Sequence, residues 1–545
     1  MNNHTMLSID DGTPMDDARQ MIYHEIQQLE CEHQMLAFRS QLNMFTYIAR
    51  VPPEILLQIF TAMTEDGEWP TDSMQCISVT HVCQQWRSIA LNAPALWSNI
   101  LSYSLPWIMA MFDRSKTSPL AVSVHWHSGV AVSILKHLSR IRSLKLEDWS
   151  ADQLQKLHVF IEDNAGVAPQ LESLSLECDC ADDSPWPLPS TTFQRADRLK
   201  DLFLFGIKID WSHSPLFCHL TKLRLETYLY DGQPTWRELI TALNQMPALE
   251  SLFLSNMLPK VPFDAALDAV SAYLPNLKRI GFRLVPTVHT MLAFLNQVKL
   301  PTGLNIFNIV DIDDFSNRQE TDELCHAISR SLPGLCSRAR YMDIMRPRVG
   351  GTIYIHCFAT IQKEFYRHGH LEWQWDGNPA DISFQLSYLT ELERTTVVVN
   401  ALDILNLSHI THLSASVNVG RLEFIALLTG LPELQVIQVF ERPTEHLVHA
   451  LNAIQPQGPR EGAPILPKLR EIRICNDYSK VEDCLITDDT WQDLKAFLEY
   501  RQSLHAGIHK LSVRRCCHIS REMVEGLKKC VDDLCWDGTC KEHPE

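Results

Sequence analysis

Apolar residues follow two different spacings along this 545-residue chain. Between residues 49 and 101 they recur every three or four positions, which is the spacing of an amphipathic helix. From residue 102 onward they alternate with polar residues over short stretches, as in a strand with one buried face. The pattern therefore predicts an α/β chain in which a short helical segment precedes a longer body of strands and helices.

The helical segment begins at VPPEILLQIF, where Pro53 suits the first turn of a helix. The apolar positions that follow predict a single face, made by Ile55, Leu56, Ile59, Phe60 and Met63. A second helix is expected to place one apolar side inward, made by Val79, Val82, Cys83, Trp86, Ile89 and Ala90. About 50 residues bury too little surface to be stable alone, and this segment has surplus large apolar side chains. We therefore expect it to need a partner.

A hexamer of the form apolar-x-x-apolar-x-apolar dominates the rest of the chain. Copies begin at Ile141, Leu171, Leu199, Leu220, Leu249, Leu277, Leu304, Leu434, Leu469 and Ile508, with a weaker one at Ile410. The first six are spaced about 21 to 30 residues apart, and helical patterns lie between several copies. One strand and one helix cannot bury the leucine face alone, whereas stacked neighbours can. We therefore expect a curved solenoid with strands inside and helices outside.

Two family resemblances rest on these stretches. VPPEILLQIF, VCQQWRSIA and PALW occur in that order and resemble the F-box, with Val51 where the family usually has leucine. The preceding FRSQLNMFTYI is similar to the start of many fungal F-box proteins. The hexamers resemble leucine-rich repeats in irregular form, because the usual Asn or Cys after each strand is missing. That position is occupied by Trp149, Asp179, Ile207, Tyr228 and Met257.

The expected organisation has four parts. Residues 1–15 form a disordered tail, and residues 16–48 form a helix that docks on the next unit. Residues 49–101 form the F-box, and residues 102–540 form the leucine-rich-repeat-like solenoid. The hexamer pattern is poor from about residue 316 to residue 400, where ARYMDI at Ala339 is a weak candidate copy. The repeat count and the curvature there stay open.

The F-box resemblance implies a function. F-box proteins are substrate receptors of Skp–cullin–F-box ubiquitin ligases, in which the F-box docks on the Skp adaptor and the other domain captures a target. The resemblance places the adaptor contact on Val51, Pro52, Ile55, Leu56, Ile59, Val82, Cys83, Trp86, Leu96 and Trp97. Some of these residues, Trp86 especially, are alternatively expected to hold the helices together. Ligase chemistry lies in other subunits, so no catalytic residue, metal or cofactor is expected.

Strand residues that point away from the leucine face line the inner wall of such a solenoid. The candidates for target binding are Phe203, Phe205, Lys222, Arg224, Phe253, Arg279 and Arg283. Aromatic side chains are costly to leave in water, so an exposed patch of them indicates a partner. With cations between them, they suit a peptide that carries acidic groups. The alternative is that a loop of the chain covers these aromatic residues.

Composition narrows the classes of partner and compartment. The net charge of −18 and the pI near 5.7 argue against a nucleic-acid binder, which needs a basic surface. No apolar run approaches the roughly 18 residues that span a bilayer, and the polar N-terminus is unlike a secretory signal. Sixteen cysteines spread along the chain are expected to be reduced thiols. We expect a cytoplasmic or nuclear protein.

Catalytic and metal-binding motifs are weak. The phosphate-loop, G-x-S-x-G and H-E-x-x-H motifs do not occur. The C-terminal cysteines and histidines are candidate zinc ligands, but close Cys-x-x-Cys pairs are missing and packing is the preferred explanation. His125 and His127 lie on one face of a predicted strand, and two ligands do not make a site. An F-box-like scaffold outside any ligase is the alternative function, and an enzyme is the third hypothesis.

Overall fold

The computed structural model divides the chain into two compact units. The first contains residues 1–147 and 168–171, and the second contains residues 148–167 and 172–545. The structure describes residues 47–65, 75–101, 104–125, 136–163, 167–178, 186–193, 195–212, 214–228, 232–260, 262–264, 270–314, 318–345, 353–359, 381–386, 391–415, 419–440, 443–455, 464–475, 486–514, 519 and 521–538. The expected tail at 1–15 lies outside these residues, as does almost all of the expected helix at 16–48.

The first unit is helical at its start and then forms parallel strands. Its helices are α1 Pro53–Glu65, α2 Gln75–Ser78, α3 Gln84–Leu91 and α4 Leu105–Arg114. Short 3-10 turns occupy Tyr47–Arg50, Val79–His81, Pro94–Trp97 and Leu138–Arg140. Its strands are β1 Asn99–Leu101, β2 Leu120–His125 and β3 Ile141–Trp149. β1 pairs with β2 and β2 pairs with β3, both in parallel.

The expected second helix is broken in two. Cys83 has extended backbone angles, φ −157° and ψ 169°, so the 3-10 turn before it cannot continue into α3. Its Sγ instead accepts a hydrogen bond from the N–H of Trp86 at 3.5 Å and caps α3. The prediction of one continuous apolar side from Val79 to Ala90 was therefore wrong, because Val82 lies in the break and is exposed.

The core of this helical segment includes the buried side chains of Leu56, Phe60, Leu96 and Trp97. The indole Nε1 of Trp97 donates a 2.8 Å hydrogen bond to the carbonyl of Ala90, at the end of α3. This bond satisfies the polar atom of a fully buried aromatic side chain. The 3-10 turn Pro94–Trp97 thus directs Trp97 into the core.

The second unit alternates strands with helices. Its strands are β4 Ser173–Cys178, β5 Trp186–Pro187, β6 Asp201–Phe205, β7 Ile207–Lys208, β8 Lys222–Glu226, β9 Ser251–Ser255, β10 Ala272–Tyr273, β11 Arg279–Thr287, β12 Val298–Lys299, β13 Ile306–Asp314, β14 Tyr341–Met345, β15 Ile353–Phe358, β16 Ile382–Leu386, β17 His412–Ala415, β18 Val436–Phe440, β19 Glu471–Cys475, β20 Lys510–Arg514 and β21 Asp533–Trp536. Its helices are α5 Ala151–Asp163, α6 Trp236–Asn244, α7 Val288–Gln297, α8 Arg318–Ser331, α9 Pro333–Arg338, α10 Glu391–Ile404, α11 Arg421–Gly430, α12 Pro443–Ala453, α13 Asp488–Ser503 and α14 Arg521–Lys528.

Most strands of the second unit join one open sheet. The pairing runs β4–β6–β8–β9–β11–β13–β16–β15–β14–β17–β18–β19–β20–β21. β5 pairs with β7 and β10 pairs with β12 in two small separate sheets. Every hexamer predicted from the sequence overlaps a strand. In β4 and β6 the leucines are buried and the intervening residues are half-buried, as the alternation predicts.

The region where the hexamer pattern is poor has a different chain direction. β14 contains the weak copy at Ala339, so a strand exists there as expected. However, β15 is antiparallel to both of its neighbours, and β15 and β16 lie between β13 and β14. A strand that reverses cannot follow the strand-then-helix period of the rest. This reversal explains the loss of the sequence pattern between residues 316 and 400.

The turns after the strands are held without the Asn or Cys that is usual in leucine-rich repeats. Asn256, one residue before Met257, has a positive φ of 54°, and its carbonyl accepts a 3.0 Å hydrogen bond from Gln233. Further along, the buried guanidinium of Arg501 donates to the carbonyls of Ile465, Leu466, Leu469 and Ala506. Different polar side chains therefore satisfy the backbone at different turns.

Candidate functional site

Helix α1 carries two apolar stripes that face different environments. Leu56 and Phe60 are buried, with 0% and 1% of their surface exposed. Ile55, Ile59 and Met63 are 44%, 44% and 41% exposed, and they recur every four residues along the helix. Successive residues in a helix are rotated by about 100°, so neighbours such as Ile55 and Leu56 point in different directions. The expected single apolar face is therefore wrong, and we call Ile55, Ile59 and Met63 the outer stripe.

Further exposed apolar residues lie close to the outer stripe in sequence. Ile48 is 47% exposed and Val82 is 58% exposed. Twelve large apolar side chains are exposed in the described part of the chain, and five of them fall between residues 48 and 82. Exposed apolar residues are normal when scattered, whereas a concentration of them marks an interaction surface.

The structure divides the ten residues expected at the adaptor contact into three groups. The exposed ones are Pro52, Ile55, Ile59 and Val82, and the half-buried ones are Val51, Cys83 and Trp86. Leu56, Leu96 and Trp97 are buried in the core, with 0%, 2% and 0% exposure. Their placement at an adaptor surface is corrected here, because their contacts are made inside the domain.

Two half-buried residues of that set serve the domain itself. The ring of Trp86 packs 4.9 Å from the ring of Phe60, which connects α3 to α1. Cys83 caps α3 through its sulfur. The alternative role expected for Trp86, holding the helices together, agrees with this contact. Sequence reasoning missed Ile48 and Met63 as surface residues, although Met63 follows Ile59 by four positions and could have been assigned to the same stripe.

The candidate target-binding residues lie on one face of the open sheet in the second unit. In register, Phe203 pairs with Arg224 and Arg224 pairs with Phe253, so the cation stands between two rings. The guanidinium carbon of Arg224 is 4.7 Å from the centroid of Phe203 and 5.4 Å from that of Phe253. Arg224 also pairs with Glu226 on its own strand. Its charge is therefore matched within the protein.

Burial separates the aromatic candidates. Phe203 and Phe205 are half-buried, but Phe253 is only 1% exposed. The expectation that Phe253 is open to a target is corrected here, since its ring lies inside the packed face. Phe205 makes an edge contact with Tyr228, with ring centroids 5.1 Å apart. Tyr228 is 61% exposed and was not among the candidates.

The remaining candidates are cations. Lys222 is exposed and forms an ion pair with Asp201 on the neighbouring strand, at 3.5 Å. Arg279 is exposed and Arg283 is half-buried, and both lie on β11. Residues two apart on a strand share a face, so Arg279, Gly281 and Arg283 belong to the same row. The structure therefore brings the candidate cations onto two neighbouring parts of one sheet face.

A comparison with family models assigns the helical segment. Residues 48–102 match the model described as F-box-like. Residues 48–102 are an F-box-like domain. The outer stripe and the buried core of α1 both belong to this domain. The match covers about a tenth of the chain, so the family of the second unit is not assigned by it.

Comparisons of the whole chain add little. No curated protein matches the chain. Among solved structures the chain is similar to the crystal structure of the Rad7 and Elc1 complex in yeast, with 12% identity over 78% of this chain and 93% of that chain. The TM-score is 0.25, which is too low to assign a shared fold or a shared partner. Apart from these comparisons, no helix in the described residues is long and apolar enough to cross a bilayer.

The arrangement closest to catalytic machinery lies beside α5. His158 Nδ1 is 2.7 Å from Thr192 Oγ1, and His158 Nε2 is 3.4 Å from a carboxylate oxygen of Glu162. Thr192 and His158 are buried. The adjoining cavity, which Thr192 and Asp210 help to line, has a volume of about 10 Å³. That volume accommodates about one water molecule, so it gives a substrate no access to Thr192.

Metal-binding candidates are also limited. No cluster of three or more metal-capable side chains occurs among the described residues. Of the C-terminal zinc candidates, Cys530 and Cys535 are described, whereas Cys516, Cys517, His518, Cys540 and His543 lie outside the described residues. The described cysteines are free thiols. Burial raises the pKa of the Cys325 thiol to about 12, which keeps it protonated and unreactive.

Proposed function

We propose that this chain is a substrate receptor of a Skp–cullin–F-box ubiquitin ligase. Its F-box-like domain binds a Skp-type adaptor, and through the adaptor a cullin, while the second unit binds a target protein. The observation that carries the proposal is the outer stripe, since Ile55, Ile59 and Met63 stay exposed in a domain that is F-box-like. Three exposed apolar side chains on one helix favour a protein partner with a matching apolar surface.

We further propose that the second unit is a leucine-rich-repeat-like solenoid. Parallel strands with buried leucines support this architecture, and several of these strands are followed by a helix. The inner strand face then presents the target-binding residues, of which Phe203, Phe205, Lys222, Arg224, Arg279 and Arg283 remain candidates. This chain positions the target and carries no ligase chemistry of its own, consistent with a receptor that works in the cytoplasm or nucleus.

The energetics suit a reversible adaptor contact. A Leu, Ile or Met side chain contributes roughly 1.5–3 kcal/mol when it is fully buried. The outer stripe residues are already a little more than half-buried in the free chain. Each of them therefore retains about 1 kcal/mol for a partner to recover. Ile48 and Val82 extend the apolar surface available in the same domain.

The test is co-purification of the full chain with a Skp-type adaptor. Ile55→Asp with Ile59→Asp puts two charges into the outer stripe and should abolish capture of the adaptor. Gln58→Asp with Gln85→Asp adds the same two charges at exposed polar positions of the same domain and should leave capture unchanged. Equal capture by both double variants would contradict the proposal. Thermal melting of both variants checks that the domain stays folded.

The same preparation separates the two functions left open by the sequence. A receptor carries a cullin along with the adaptor, so both should appear in one complex with the wild-type chain. Adaptor capture without a cullin would favour an F-box-like scaffold that does not join a ligase. We expect the cullin and the adaptor to be lost together from the Ile55→Asp/Ile59→Asp variant.

A further inference from the structure

Cations on the strand face of the second unit are generally matched by carboxylates of the same face. Arg224 pairs with Glu226, two residues along β8. Arg473 pairs with Glu471 at 2.8 Å, again two residues apart on one strand. A carboxylate at this spacing lies beside the guanidinium on the same side of the sheet, because side chains repeat every second residue. The face therefore has a simple rule for balancing its arginines.

Between neighbouring strands the same matching recurs. Lys222 of β8 is 3.5 Å from Asp201 of β6. Lys510 of β20 is 4.0 Å from Asp533 of β21. In both cases the partners are directly opposite each other in the register of the strands. Carboxylates are thus supplied either along a strand or across to the next one.

β11 departs from this rule. Arg279 and Arg283 both lie two residues from the same position, and that position is Gly281, which has no side chain to offer. Their neighbours across the sheet are uncharged: Ser251 and Ile306 beside Arg279, and Ser255 and Val310 beside Arg283. No carboxylate of the described residues forms an ion pair with either arginine. β11 therefore holds two unmatched positive charges on either side of a glycine.

A buried polar side chain lies beside this glycine. Asn308 of β13 is directly opposite Gly281 in register and lies on the same face of the sheet. Its side chain is 0% exposed, and within the described part of the chain neither Oδ1 nor Nδ2 has a hydrogen-bond partner. A buried amide without partners costs free energy, so Asn308 lowers the stability of the sheet beneath the two arginines.

We propose that an acidic side chain of the target protein binds above Gly281, between Arg279 and Arg283. The proposal rests on the proposed function, since it takes the second unit to be the target-binding part. The incoming carboxylate takes the place that Glu226 and Glu471 have beside their own arginines. It reaches both arginines at once, because each is two residues from Gly281.

The geometry of the arginine side chain favours a carboxylate. The guanidinium group forms two parallel hydrogen bonds to a carboxylate, which adds direction to the attraction. The chain as a whole carries a net charge of −18, so an acidic target segment binds here only where the local charge is positive.

The experiment uses the immobilised full-length chain and nine-residue peptide libraries. Three libraries share degenerate flanks and differ in a fixed central residue, which is Glu, Gln or phosphoserine. We expect the wild-type chain to enrich the Glu library over the Gln library by about tenfold, the difference between a charge-assisted and a neutral contact. The Arg279→Gln/Arg283→Gln variant should bind both libraries equally.

The control variant is Arg473→Gln with Lys510→Gln. It removes two cations from the same face at positions that are already ion-paired, so the Glu preference should persist in it. Loss of the preference in this control would mean that overall charge, not the site, selects the peptide, and would overturn the proposal. The absence of any preference in the wild-type chain, or a phosphoserine preference above that for Glu, would overturn it as well.

Asn308→Leu tests the role of the amide separately. An apolar side chain of similar size removes the unpartnered polar atoms, so the variant should melt at a higher temperature than the wild type. Because the amide is fully buried, the Glu preference should persist in the same variant. Loss of the preference would mean that it depends on packing beneath the two arginines, and would contradict the proposal.

Failure of this inference and failure of the proposed function are distinguishable. The Ile55→Asp/Ile59→Asp variant should lose the adaptor and keep the full Glu preference, because it leaves β11 unchanged. A Glu preference in a chain that captures no adaptor would sustain the site on β11 while contradicting the ligase assignment.

Discussion

The outer stripe of the F-box-like domain and the strand face of the second unit differ in which side chains they expose to water. The stripe leaves Ile55, Ile59 and Met63 in water and has no charge within it, so only a partner with an apolar surface relieves its cost. On the strand face, the aromatic Phe253 is buried and Arg224 is matched by Glu226. An apolar surface provides affinity, whereas unmatched charges select between partners.

The largest expected effect contrasts two adjacent residues of α1. Leu56→Ala leaves a cavity in the core of the F-box-like domain and should lower its free energy of unfolding by about 2–5 kcal/mol. Ile55→Ala removes a side chain that is 44% exposed and should change that free energy by less than about 1 kcal/mol. Chemical denaturation of the full chain, followed by tryptophan fluorescence, measures both values.

In an adaptor-binding assay, we expect the order of the two effects to be reversed. Ile55→Ala should weaken adaptor binding more than Leu56→Ala does, at a temperature where both chains are folded. Equal effects of the two variants in both assays would remove the distinction between the core and the outer stripe.

That distinction marks what the sequence could and could not predict. The F-box-like domain, the strands at the hexamers and the burial of their leucines are all confirmed. The surface role of Leu56, Leu96 and Trp97 was wrong, because motif matching cannot separate residues that hold a domain from residues that bind its partner. Both kinds are apolar and recur at helical spacing, and only the direction of each side chain in the folded helix distinguishes them.

Prediction of the strand face from the sequence was limited for a different reason. Alternation correctly separated the leucine face from the opposite face, yet it could not show that Phe253 is buried or that Arg224 is already paired. Those facts depend on which residues lie opposite each other across strands, and register is not encoded in a single repeat. The reversal at β15 likewise depends on pairing between distant parts of the chain. The solenoid and the binding of a target therefore remain predictions.

The second prediction concerns two buried titratable groups on the strand face. Asp343 of β14 and His356 of β15 are directly opposite each other and are 5% and 4% exposed. Burial raises the pKa of Asp343 to about 6, opposed by a hydrogen bond from Ser414. Burial lowers the pKa of His356 to about 4. The outer stripe, by contrast, has no titratable side chain.

The two shifts change stability with pH in opposite directions. The folded chain keeps the Asp343 proton up to about pH 6, whereas the unfolded chain loses it near pH 4, so this group lowers stability as the pH rises between those values. The folded chain lacks the His356 proton that the unfolded chain binds below about pH 6.5, so this group raises stability over the same range.

Single substitutions should expose each slope. His356→Gln removes the rising contribution, so its free energy of unfolding relative to that of the wild type should fall by roughly 3 kcal/mol between pH 4 and pH 6.5. Asp343→Asn removes the falling contribution, so its free energy of unfolding relative to that of the wild type should rise by a similar amount between pH 4 and pH 6. Denaturation midpoints at three pH values measure the slopes. Changes of the same sign in both variants would contradict the opposite pKa shifts of the two groups.

The smallest expected effect tests whether paired charges on the strand face stabilise the fold. Lys222 and Asp201 are 3.5 Å apart, with side chains 64% and 41% exposed. Because water screens such a pair, Lys222→Gln should change the free energy of unfolding by less than about 0.5 kcal/mol. A loss of several kcal/mol in the same denaturation assay would show that these charges are structural. The strand face would then resemble the core of the F-box-like domain more than its outer stripe, and the unmatched arginines of β11 would stand out further as residues kept for a partner.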